Sequence, residues 1–102
     1  MIYKNKMGLI TKLFKERVEK KYKILDIKLF GSYARGDNTK DSDLDIMVKL
    51  DKVDRNIEED LFNIAYDLEL EYDCLIDILV IPENVSYSLP LYANIVKEGI
   101  AF

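Results

Sequence analysis

Leu9, Ile10, Leu13, Phe14, Val18 and Tyr22 recur at spacings of three and four, with Lys12, Lys15, Glu16, Glu19 and Lys20 between them. That period predicts an amphipathic helix. Residues 24–30 switch to alternation, with Leu25, Ile27 and Leu29 on one side and Asp26 and Lys28 on the other, until Gly31 interrupts the pattern. A strand ending in a glycine turn follows. Beyond Gly36-Asp37-Asn38-Thr39-Lys40-Asp41-Ser42, a run of turn formers, a second alternating stretch covers Asp43 to Leu50. The two strands are expected to pair as an antiparallel hairpin with a long loop.

Asp54 is placed to cap a second helix whose buried face is Ile57, Leu61, Ile64, Ala65 and Leu68 and which ends near Glu71. A third strand, Cys74 to Ile81, stops at Pro82; Pro90 near its start and Gly99 past its end then bracket a short final helix. In the C-terminal stretch Leu89 to Phe102, the apolar residues Leu91, Ile95, Ile100 and Phe102 fit either core packing or contact with a partner. The order helix, strand, strand, helix, strand, helix predicts an α+β fold, a small mixed sheet covered by helices. At 102 residues a single domain spanning 1–102 is expected.

The chemistry concentrates in acids on the strands. Asp43 and Asp45 are two apart, so on a regular strand both carboxylates leave the same face, about 7 Å apart at their Cα atoms. Leu44, Ile46 and Val48 take the other face. Asp77 stands inside the apolar run Cys74-Leu75-Ile76-Asp77-Ile78-Leu79-Val80-Ile81, where an unpaired charge is costly unless an edge position exposes it. An Asp-x-Asp pair alone also fits a solvated strand face. Three carboxylates brought together from neighbouring strands repel, and a hard divalent cation that prefers oxygen ligands, Mg²⁺ above all, relieves the repulsion. Gly31-Ser32 at the end of the first strand adds a turn whose backbone can approach a phosphate closely, with the Ser32 hydroxyl and nearby N–H groups as donors. Arg35 can add a charge-assisted contact. Lys49 falls on the Asp43 and Asp45 face, where a surface lysine is the simpler expectation.

Composition then narrows the field. A net charge of −4 argues against a general nucleic-acid binder, because phosphate-backbone affinity rests on a surplus of Lys and Arg. The single cysteine, Cys74, excludes an intramolecular disulfide framework and reads as a buried structural thiol. No signal-like apolar block or long apolar run occurs, so no membrane association is expected and the cytoplasm is the expected compartment. The seven tyrosines, Tyr33 included, are read as packing residues.

Gly31-Ser32-Tyr33-Ala34-Arg35-Gly36, ten residues from Tyr33 through Ser42, and then Asp43-Leu44-Asp45 resemble the signature of the DNA polymerase beta-like nucleotidyltransferase superfamily. Asp77 resembles its third acid. The short length and the ending Ile95-Val96-Lys97-Glu98-Gly99-Ile100 are similar to minimal nucleotidyltransferases, commonly paired with HEPN-domain proteins. The resemblance implies the polymerase beta-like fold and two Mg²⁺ ions bridging a nucleoside triphosphate, with ATP the expected nucleotide. Asp43 and Asp45 would hold the nucleotide-linked metal, and with Asp77, which would also accept a proton, the catalytic one. Gly31 and Ser32 would hold phosphates. It further implies an antitoxin that transfers AMP to a tyrosine hydroxyl of a HEPN partner, with homo- or hetero-oligomers possible. A non-catalytic nucleotide-binding module that neutralises its partner by direct binding is the other reading.

Overall fold

The computed structural model describes residues 6–39, 42–86 and 88–102, the side chains of 85 and 86 excepted. Lys40 and Asp41 of the expected turn stretch, and Tyr3 and Tyr87, lie outside the described residues. The elements run α1 (Lys6–Glu19), β1 (Ile24–Phe30), α2 (Ser32–Arg35), β2 (Leu44–Leu50), α3 (Arg55–Tyr72), β3 (Ile76–Pro82), α4 (Glu83–Ser86), α5 (Pro90–Glu98) and β4 (Ile100–Ala101).

The sheet order is β3-β2-β1-β4. β1 pairs antiparallel with β2 and β4, as the hairpin reading expected for the first pair. β2 and β3 run parallel, Leu44 facing Ile76 through Leu50 facing Pro82, so the chain must cross over between them, and α3 is that crossover. The sheet is mixed and helix-covered, an α+β fold.

Alternation sends the two sides of each strand to two different covers. Leu44, Ile46, Val48 and Leu50 of β2 and Ile76 and Ile78 of β3 join Ile27 and Leu29 under α1 and α3, where Ile10, Phe14, Val18, Leu61 and Leu68 are fully buried. Each such side chain contributes about 1.5–3 kcal/mol relative to exposure. Met47 and Ile81 point the other way and are closed off by Ile95 of α5, with Phe30, Leu79 and Tyr92 around them.

Local signals set most boundaries. The Asp54 carboxylate accepts the Ile57 N–H at 2.8 Å, the expected cap of α3. The far end of α3 closes on Asp73, which takes a left-handed conformation at φ 50°. The Cys74 N–H is committed to the Glu69 carbonyl at 3.3 Å, so Cys74 finishes the helix and β3 begins two residues later than its apolar run suggests. Cys74 is accordingly half-buried rather than sealed in the core, and burial raises its thiol pKa.

One further expectation is corrected. Lys49 is 8% exposed, because α5 covers the sheet face that the sequence left open. Its Nζ donates to the Tyr92 hydroxyl at 3.3 Å and lies 5.1 Å from the ring centroid. The Tyr92 hydroxyl in turn donates to Asp26 at 3.4 Å. Beyond Gly99 the chain forms β4: Leu29 pairs with Ile100 and Lys28 with Ala101, leaving Ile100 40% exposed while Phe102 packs against the main core. Gly99 makes this return possible, since a Cβ there would stand 2.5 Å from the Ile95 carbonyl and 3.2 Å from the Leu29 carbonyl. Among the described residues no helix is long and apolar enough to cross a membrane.

Candidate active site

β1 delivers the chain to Gly31 with φ 72° and ψ −152°, a backbone conformation in which side chains are strained. A Cβ added here would also overlap the Asp45 carboxylate. Only glycine lets the β1–α2 junction lie directly against that acid. The glycine turn does not end there but continues into the single helical turn of α2, closed by Arg35 N–H to Gly31 carbonyl at 3.1 Å and Gly36 N–H to Ser32 carbonyl at 2.9 Å. Ser32 opens that turn, and Tyr33 packs against the main core, in keeping with a packing role.

Asp45 and Asp77 are register partners on the parallel pair β2 and β3. Adjacent strands lie about 4.8 Å apart and partners share a face, so the two carboxylates leave the sheet side by side. By alternation with Met47 and Leu79 that face is the α5 side. Asp43 lies one residue before β2, exposed at the mouth of the same strand. The three acids meet electrostatically at Asp45: burial raises its pKa, the charges of Asp77 and then Asp43 raise it further, and the Arg35 guanidinium pulls against them.

Asp77 takes the exposed edge position that the sequence left open. β3 is an edge strand and Asp77 is exposed, so its charge carries no burial cost; its register with Asp45, not desolvation, marks it. The Arg35 Nε is 3.2 Å from an Asp37 carboxylate oxygen on the following loop.

Oxygen donors alone make up this set, which suits Mg²⁺ and not a metal that prefers thiolate or imidazole. Among the described residues no three Asp, Glu, His or Cys side chains form a ready-made cage. That is compatible with Mg²⁺, which is usually held by one or two carboxylates together with substrate phosphates.

Beside Gly31 a cleft of about 320 Å³ opens between α2 and α5. Its α5 wall is Leu91, Asn94, Ile95 and Glu98. Sequence reasoning missed these positions as a site, although their spacing of three, four and seven marks one helix face.

The small mixed sheet thus carries paired acids beside a glycine junction. The nucleotidyltransferase domain family matches residues 11–102, and the chain belongs to that family. Over 93 residues it is 38% identical to a Methanocaldococcus jannaschii protein provisionally named protein adenylyltransferase MJ0604, covering 86% of this chain and 89% of that one. A second relative from the same organism, provisionally named protein adenylyltransferase MJ1379, is 51% identical over 43 residues, 42% of this chain. There the match spans only 43% of the relative's length. Among solved structures, a toxin-antitoxin complex with AMP-PNP superposes with a TM-score of 0.64 at 25% identity, over 95% of this chain and 72% of that one. The Y104A mutant of the toxin-antitoxin MntA-HpeT gives 0.64 at 26% identity, over 96% and 72%.

Proposed function

We propose that this chain is a Mg²⁺-dependent nucleotidyltransferase that transfers AMP from ATP to a hydroxyl of a protein acceptor, as the antitoxin of a HEPN-domain partner. The observation that carries the proposal is the in-register pair Asp45 and Asp77 on neighbouring parallel strands, with Asp45 against Gly31. The names of the relatives and the AMP-PNP bound in a neighbouring toxin-antitoxin complex support the choice of nucleotide and of partner class.

In this reading Asp43, Asp45 and Asp77 would hold Mg²⁺, two ions in all, which when bound would supply charge neutralisation at the attacking and leaving oxygens. Gly31 and Ser32 hold the β and γ phosphates against the backbone. Gly31 carries no side chain to hold a phosphate off its backbone, and the Ser32 hydroxyl donates from the first position of α2. Asp77, exposed on the edge strand, is reachable by an incoming hydroxyl and accepts its proton. The acceptor oxygen forms the new bond to the α-phosphorus as the bond to pyrophosphate breaks. Arg35 leaves Asp37 to meet the triphosphate, a short exchange for an exposed ion pair.

Asp77→Asn tests the assignment. With radiolabelled ATP, Mg²⁺ and a HEPN-domain protein as acceptor, the wild type should label that protein. The variant should lose roughly 10²–10⁴-fold in transfer while still binding ATP. Transfer at the wild-type rate by Asp77→Asn removes Asp77 from the chemistry, and absence of label with the wild type removes the activity.

A further inference from the structure

We infer that the cleft between α2 and α5 is the nucleoside pocket of this chain and that Asn94 reads an adenine base within it. The inference rests on the nucleotidyl-transfer reading above and adds to it where the non-reacting part of the substrate sits.

The cleft volume, about 320 Å³, lies at the lower end of small-molecule sites, which run from about 300 to 1,000 Å³. It borders Gly31, and Gly31 touches the Asp45 carboxylate, so a ligand whose phosphates lie at the glycine junction has the cleft within reach of its sugar and base. The walls are apolar where a flat ring needs them: Phe30 from the end of β1, Ala34 from α2, and Leu91 and Ile95 from α5. Ala34 is small enough to leave the cleft open. Leu91 is 49% exposed although it stands one helical turn from Ile95, which is 2% exposed. The α5 face therefore seals the sheet at one level and leaves an apolar wall uncovered at the next.

Two polar groups converge on that wall. Asn94 and Glu98 are one turn apart on the same face and both line the cleft. The Asn94 amide presents a donor and an acceptor side by side, the complement of the amino group and adjacent ring nitrogen of adenine. Guanine is instead matched by Arg or Lys at O6 and N7, and Arg35 of the cleft lining is already assigned to the triphosphate. Glu98 accepts from the ribose hydroxyls or from the adenine amino group. The wall is fixed in place from behind, since the Gly99 N–H bonds to the Ile95 carbonyl at 2.6 Å and β4 then pairs with β1.

Calorimetric titration of the full chain in Mg²⁺ with ATP, GTP, CTP and inorganic tripolyphosphate tests this. The wild type should bind ATP most tightly of the four. Asn94→Ala should weaken ATP about tenfold, remove the preference for ATP over CTP, and leave tripolyphosphate affinity unchanged. Asn94 is exposed, so this variant does not threaten the fold. Ala34→Leu, which fills the cleft, should likewise weaken ATP but not tripolyphosphate. If both variants bind ATP as the wild type does, or if GTP or CTP binds as tightly as ATP, the pocket assignment is overturned. Equal affinity for ATP and tripolyphosphate overturns the pocket while leaving the phosphate site standing; binding of neither overturns the phosphate site as well.

Discussion

On the face under α1 and α3 the sheet meets two helices, and every strand side chain turned that way in the middle of β2 is aliphatic and sealed: Leu44, Ile46 and Val48 are fully buried. On the face under α5 a single nine-residue helix does the covering. The same central strand presents Asp45, Met47 and Lys49 there, and the sealed cluster shrinks to Met47, Ile81 and Ile95. One face thus supplies the stability that the other spends on a charged carboxylate group, a buried lysine and an open cleft. The parallel pairing of β2 and β3 links the two, because the register that stacks Ile46 on Ile78 also sets Asp45 beside Asp77.

The largest expected effect lies on the closed face. Phe14→Ala should cost about 3–5 kcal/mol in urea unfolding, since the ring is fully buried between helix and sheet. A cost under about 1 kcal/mol would mean that the two faces are not energetically distinct. Gly31→Ala comes next, at about 2 kcal/mol, from the left-handed backbone and the displacement of Asp45. It should also abolish Mg²⁺-ATP binding, measured by the ligand-induced rise in melting temperature, whereas Phe14→Ala leaves that rise intact in its folded fraction. Asp54→Ala, which removes the cap of a core-face helix, should cost about 1 kcal/mol and leave nucleotide affinity unchanged.

The smallest effect has the opposite sign. Burial, Asp77 and Asp43 raise the Asp45 pKa, so the folded protein holds that proton more tightly than the unfolded chain. The contribution of Asp45 to stability is therefore present below the usual carboxylate range and is lost as pH rises through the raised value. Without nucleotide or Mg²⁺, Asp45→Asn should melt a few degrees higher than the wild type at about pH 7 and together with it at about pH 3. Asp60 on the closed face runs the other way. The Tyr22 hydroxyl at 2.7 Å and Lys21 hold its carboxyl below the usual range, so its contribution is present at neutral pH and is lost on acidification. An Asp45→Asn variant less stable than the wild type at neutral pH would show that the open face is not strained by its own charge.

Much of the closed face and of the element boundaries is legible in the chain itself. Period, caps and breakers act within a few residues, which is why Asp54 caps α3, Pro90 opens α5 and Gly99 follows it as the local signals indicate. The core under α1 and α3 is legible for the same reason, because Ile10, Phe14, Val18, Leu61 and Leu68 repeat at helical spacing. The site residues stand out by type and spacing, but their environments do not. The apolar neighbours of Asp77 leave it open between burial and an exposed edge, and Lys49 reads as exposed because it shares its strand side with Asp43 and Asp45. Each is decided by what lies across from it: solvent beyond an edge strand for Asp77, α5 for Lys49.

The sequence by itself determined α1, β1, β2, α3, β3 and α5, the aliphatic core and the presence of a glycine junction and three acids, since these follow from local conformational preference and from side-chain chemistry. Tertiary structure alone decided that Asp45 and Asp77 are register partners, that Gly31 lies against Asp45, that β4 returns along β1, and that α5 leaves a cleft beside them. Strand order and register join residues dozens of positions apart, and their energies come from packing and pairing across the fold, which no short window of sequence contains.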